Sequence, residues 1–340
     1  MSTKKIQLSH FLVLIFLIAC NHSGQVSAIK NLNSSDQYEL ITDWPNLPDD
    51  FILGNPTGIG IDTNQNIFIF HRADRVWPVI GSMPRSYIAS KTILMLDRVS
   101  GKILNSWGDG VFIMPHGLTV DKNNNIWVTD VGLHQVFKFS HNGTLLMKLG
   151  KDKLPGNDTA QFNRPTDIAV ASDGSFYVSD GYGNSRVVKY SATGKYLFEW
   201  GRKGLKKGEF NLPHGICVDE KGNVYVADRE NKRIQVFDST GGFLEQWNNK
   251  SMGKVYAITV DKAGKNFITI DDATSLFGLQ HEGSGINLFN ETGELQNQFG
   301  RMHENRKCWH HDVAVDNDGN IFVGDIFGNR IQKFRKISRE

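Results

Sequence analysis

Three cysteines in 340 residues are too few for a disulfide framework. No apolar run reaches the roughly 20 residues that a bilayer-spanning helix needs; the longest unbroken one covers residues 11–20. An excess of charge of one sign is also missing. The formal net charge is +2, and setting aside residues 1–28, which hold two lysines and no acid, brings it to zero. No electrostatic case therefore exists for nucleic acid or for an anionic membrane surface as partner. What the chain has instead is glycine, 34 of them, many in Asn-Gly and Asp-Gly pairs, with 39% hydrophobic residues to fill a core. That composition predicts a globular domain rich in tight turns.

Lys4 and Lys5, the apolar run over 11–20 and the small residues Val26-Ser27-Ala28 read as a secretory signal peptide over 1–28, with 29–340 as a single domain. An alternative takes Leu17-Ile18-Ala19-Cys20 as a lipobox with Cys20 lipid-anchored. Asn33, Asn142, Asn157, Asn249 and Asn290 each open an Asn-x-Ser/Thr sequence, so they are candidate glycosylation sites and fit a secreted or granule-lumenal product. After the signal, Cys217 and Cys308 remain. They are either free core thiols or a single bond, since each lies three residues from a repeated histidine.

A repeat runs through the rest. Short apolar runs end at Asp62, Asp121, Ala171, Asp219, Asp261 and Asp316, which are 42 to 59 residues apart. Each run leads through an Asx-Gly or Asn-Asn turn into a second strand such as Ile126-Trp127-Val128-Thr129-Asp130, then a third and a fourth. Four strands per unit at this period predict a six-bladed all-β propeller. The sixth copy stops after its third strand, so residues 38–41 are expected to supply the fourth and close the ring. Two places break the period: a long insertion over 73–91 in blade one, and an irregular blade five in which Asp271 is displaced by one.

Five residues before each alignment point lie Thr57, His116, Thr166, His214, Tyr256 and His311. Histidine alternates. First strands of propeller blades line the axis, so three imidazoles from blades two, four and six would converge about 120° apart. Three nitrogen ligands with positions left open suit a catalytic zinc; the alternative is three core histidines satisfied at strand turns. The second strands end at His71, Asp130, Asp180, Asp228, Asp271 and Asp325, where an Asp is expected to cap a turn by accepting backbone N–H groups. Beyond that ring stand Arg72, its equivalent Arg229, and Tyr182. An arginine can grip a carboxylate, and a tyrosine near a cation can accept a proton.

Phe70-His71-Arg72-Ala73-Asp74-Arg75-Val76-Trp77, Leu133-His134-Gln135-Val136-Phe137-Lys138, Pro165-Thr166-Asp167, Asp180-Gly181-Tyr182-Gly183-Asn184-Ser185-Arg186 and Ala227-Asp228-Arg229-Glu230-Asn231 together resemble the peptidyl-α-hydroxyglycine α-amidating lyases, propellers of NHL-type repeats. The resemblance covers about residues 38–336. It implies zinc held by His116, His214 and His311, with Tyr182 and Arg72 catalytic and Arg72, Arg229 and Trp309 lining the substrate pocket. It also implies a structural calcium held by the Asp312 carboxylate and the carbonyls of Ile59 and Leu118. The implied substrate is a peptide ending in α-hydroxyglycine, made by a separate copper monooxygenase for which the chain shows no sequence. Departures are visible too. Two disulfides of the family fall on Asn163 with Gly183 and on Tyr225 with Val236, and a methionine two residues before the third ligand is Trp309. Two other functions stay open: a non-catalytic NHL propeller that presents a binding face, and a calcium-dependent propeller lactonase or esterase.

Overall fold

A computed structural model describes residues 37–78, 82–274, 281–300 and 308–337. The signal-peptide reading, Cys20 and Asn33 lie outside the described residues. Among these residues the chain forms six four-stranded antiparallel sheets. Blade two shows the pattern: Pro115–Val120, Ile126–Asp130, Gln135–Phe139 and Leu145–Leu149, each strand paired to the next. The closing strand is where the repeat count requires it. Tyr38–Ile41 pairs with Arg330–Lys336 as the fourth strand of blade six, and Tyr38 stacks on Phe299 of blade five with ring centroids 4.9 Å apart.

The local causes are repetitive. At the first turn of a blade the Asp side chain replaces missing backbone partners: Asp219 Oδ1 accepts from Asn223 N at 2.8 Å while Oδ2 takes the Asn223 amide and the Tyr225 hydroxyl. Middle strands such as Ile67–His71 and Phe176–Asp180 are buried along their whole length, because sheets pack on both of their faces. The core therefore lies between blades. Phe70, Phe112 and Phe137 meet edge to face, and Trp127 packs on Phe176 of the next blade.

Close approach near the axis needs glycine. A Cβ on Gly117 would sit 2.6 Å from the Thr166 carbonyl oxygen, and one on Gly215 would sit 2.6 Å from Ala257 Cα. Each glycine directly follows a repeated histidine, so it lets the inner strands come near enough for the histidines to reach the neighbouring blade.

Asp130, Asp180, Asp228 and Asp325 act as the expected caps. Asp130 alone accepts from the N–H groups of Ile113, Met114, Gly132 and Leu133. Asp271 needs a correction: it is displaced in residue count but not in space. It pairs with Val255 as Asp130 pairs with Pro115, because the turn from Asp261 to Asn266 carries one extra residue. The irregularity of blade five is a long hairpin, Asn266–Thr274 with His281–Asn290. Cys217 and Cys308 are not joined in a disulfide. The two disulfide positions of the resemblance are neighbours without sulfur: Gly183 N donates to Asn163 O at 2.9 Å, and Tyr225 pairs with Val236 across adjacent strands.

Candidate metal centre and active site

His116, His214 and His311 converge on the axis, with ring centroids 4.6 to 5.0 Å apart and one ligand nitrogen from each within 4.8 Å of the others. What aims them is the neighbouring blade. His116 Nδ1 lies 2.7 Å from Thr166 O, His214 Nδ1 2.7 Å from Tyr256 O, and His311 Nδ1 2.8 Å from Thr57 O. A carbonyl only accepts, so each Nδ1 carries the proton and each Nε2 presents its lone pair to the axis. Burial, then the neighbouring imidazoles and arginines, push His116 and His214 well below the ordinary histidine range; burial and Arg72 bring His311 down to about 3. The three rings are neutral at physiological pH, which is the ligating form. This donor set fits a divalent transition metal with coordination positions left open.

The other expected residues gather above the triad. Tyr182 Oη is 3.2 Å from Nε2 of both His116 and His214. Arg72 is buried, donates Nε–H to Pro115 O at 3.1 Å, and lies 5.2 Å from the Trp77 ring centroid; burial pulls its pKa down to about 10. Arg229 reaches the same place from blade four, its Nη1 3.5 Å from Tyr182 Oη. Trp309 stands behind Tyr256, 6.1 Å between ring centroids. His134 and His310 stay off the axis: His134 Nδ1 accepts from Arg164 N, and His310 is buried against Gln332.

Three side chains given no role in the sequence analysis also stand here. Tyr256 fills the blade-five position of the histidine ring, 5.0 Å from His214 and 5.9 Å from His311. Trp77, from the blade-one insertion, packs on Tyr182 with ring centroids 4.9 Å apart. Asp167 is the third. It shares an axial cavity of about 300 Å³ with Asp312, Ile59, Leu118 and Cys217, on the far side of the triad. Asp312 Oδ2 accepts from Ile59 N at 2.8 Å and Asp167 Oδ2 from Ile216 N at 3.0 Å. Burial raises both carboxyls, Asp167 to about 7, and the charge of Asp167 adds to the rise at Asp312. Two carboxylates facing one cavity are oxygen donors of the kind that suits a hard cation such as calcium. Of the candidate glycosylation sites, Asn142, Asn157 and Asn249 are exposed, while Asn290 is half-buried with its amide donating to Glu294.

Comparison with known proteins decides the family. The NHL repeat matches residues 112–139, 162–190 and 210–237. A Caenorhabditis elegans protein named "Probable peptidyl-alpha-hydroxyglycine alpha-amidating lyase" is 33% identical over 301 residues, covering 84% of this chain and 83% of its own length. The chain belongs to the peptidyl-α-hydroxyglycine α-amidating lyase family. Peptidyl-glycine alpha-amidating monooxygenase B of Xenopus laevis is 36% identical over 327 residues, which are 91% of this chain but 37% of that protein. The chain thus spans little more than a third of this larger relative. Among solved structures, a streptogramin B lyase superposes with a TM-score of 0.58 over 88% of this chain and 98% of its own, at 15% identity. That likeness concerns the fold alone. No helix of the described residues is long and apolar enough to cross a membrane.

Proposed function

We propose that this amidating-lyase family member is zinc-dependent and cleaves peptidyl-α-hydroxyglycine to a peptide amide and glyoxylate. The observation that carries the reading is the pair of 3.2 Å contacts from Tyr182 Oη to two imidazoles whose Nε2 lone pairs are fixed toward one point. His116, His214 and His311 would hold the zinc, which when bound supplies Lewis acidity toward the substrate hydroxyl. Tyr182 takes the proton of that hydroxyl. The oxygen lone pair then closes to a carbonyl as the C–N bond breaks, and the departing amide nitrogen takes up the proton that Tyr182 accepted, so atoms and charge balance without an oxidant. Arg72 holds the glycine carboxylate: it is a cation already desolvated, and among the described residues no acid forms an ion pair with it. Trp77 shields the reacting atoms from water. Asp312, with the Ile59 and Leu118 carbonyls, would seat a structural calcium behind the triad.

We also place the protein in the secretory pathway, with glycan on one or more of Asn142, Asn157 and Asn249. Its substrate would come from a hydroxylase acting on peptides ending in glycine. The test is glyoxylate release from a synthetic hydroxyglycine peptide. Wild type should release it, and chelation should stop the release until zinc is restored. Full activity in metal-free protein would sink the reading.

A further inference from the structure

Arg72 and Arg229 occupy equivalent places in blades one and four, yet their surroundings differ. Arg72 has no acid partner among the described residues. Arg229 is already engaged: its Nε and Nη2 donate to Glu230 Oε1 at 3.0 and 2.8 Å, and Glu230 Oε2 meets Lys254 Nζ of blade five at 2.8 Å. The guanidinium carbon lies 5.6 Å from the Tyr182 ring centroid and 4.8 Å from that of Tyr256. Only Nη1 is left to face Tyr182 Oη. The backbone fixes the clamp from below: a single 3-10 turn over Arg229–Asn231 is held by Arg229 N and Glu230 N donating to Leu212 O and Asn211 O.

We propose that Glu230, tethered across the blade boundary by Lys254, is a positioning residue that holds Arg229 between Tyr182 and Tyr256, leaving the substrate carboxylate to Arg72. An arginine whose Nε and Nη2 already donate to a carboxylate cannot offer that edge to a second one. Two aromatic faces then keep it in place, a cation–π geometry available only while the guanidinium stays put. Arg229 acts through Tyr182, not on the carboxylate.

The kinetic part of this proposal rests on the lyase reading; the structural part does not. Glu230→Ala should lower kcat for a hydroxyglycine peptide by about tenfold and leave KM within about twofold, because an interaction serving the chemical step is lost. Lys254→Met should move kcat the same way by a smaller factor, and stands in if Glu230→Ala does not fold. Arg72→Ala should instead raise KM by about tenfold or more. A short peptide ending in plain glycine has the carboxylate but no hydroxyl; in titration calorimetry it should bind Glu230→Ala as it binds wild type. A crystal structure of Glu230→Ala should show the guanidinium withdrawn from both rings. If it stays in place, or if Glu230→Ala raises KM with kcat unchanged, the proposal is overturned. Failure of the wild type to turn over hydroxyglycine peptides would instead overturn the lyase reading, and the guanidinium position would still decide the clamp.

Discussion

Even and odd blades make different contributions at the axis. Blades two, four and six send in His116, His214 and His311; blades one, three and five send no imidazole, but their Thr57, Thr166 and Tyr256 carbonyls receive the three Nδ1 protons. Ligand identity thus resides in one set of side chains, and ligand orientation in the backbone of the other set. A centre built this way cannot be damaged at one blade without its neighbour being affected.

The largest effect should come from the odd-blade residue placed between two even-blade imidazoles. Tyr182→Phe keeps the ring against Trp77 and removes the oxygen; glyoxylate release should fall by about 10²–10⁴-fold with the fold intact by circular dichroism. Breaking the carbonyl side comes next. In Gly117→Ala the new methyl would sit 2.6 Å from Thr166 O, the acceptor for His116. Zinc affinity, read by chelator competition, should fall by about 10–100-fold, as expected when an outer partner of a ligating histidine is disturbed. Unchanged affinity would show that the odd blades do not orient the ligands.

A smaller effect is expected one ring out, where blade one departs from the other five. His71 stands where they carry Asp, and its Nδ1 accepts from Ala73 N at 3.1 Å, a role that only the neutral ring can fill. Burial lowers its pKa from 6.5 to about 4. As pH falls, the unfolded chain binds this proton first. The stability is therefore whole above about 6.5 and is lost between there and about 4, up to about 3 kcal/mol by linkage. Asp167 and Asp312, raised by burial, act in the opposite sense: their stability is present at low pH and is lost as pH rises through about 7 for Asp167. Denaturation at pH 7 and pH 4.5 should therefore compare wild type with His71→Asn. The variant should lose less stability on acidification, and equal losses would remove His71 from the account.

The alternation of histidines, the six blades, the latch at Tyr38–Ile41 and the capping Asp residues were legible because each depends on spacing along the chain. The residues that were not legible depend on which blade stands beside which. Tyr256 reads only as a departure from the threonines of blades one and three until its carbonyl is seen against His214 Nδ1. Trp77 is one residue of an insertion until it lies on Tyr182, and Asp167 is one residue of a strand until it shares a cavity with Asp312. Residue counting puts Asp271 out of register because it cannot see a turn that absorbs one extra residue. Glu230 and Lys254 are ordinary surface charges in the sequence; a contact across the blade boundary links them.

The central claim is that three blades hold one metal ion through three fixed imidazoles. Elemental analysis of purified wild type beside His116→Ala, His214→Ala and His311→Ala tests it most directly. One zinc per wild-type chain is expected, with little or none in each variant. Wild type without zinc, or zinc that persists in the histidine variants, would contradict it.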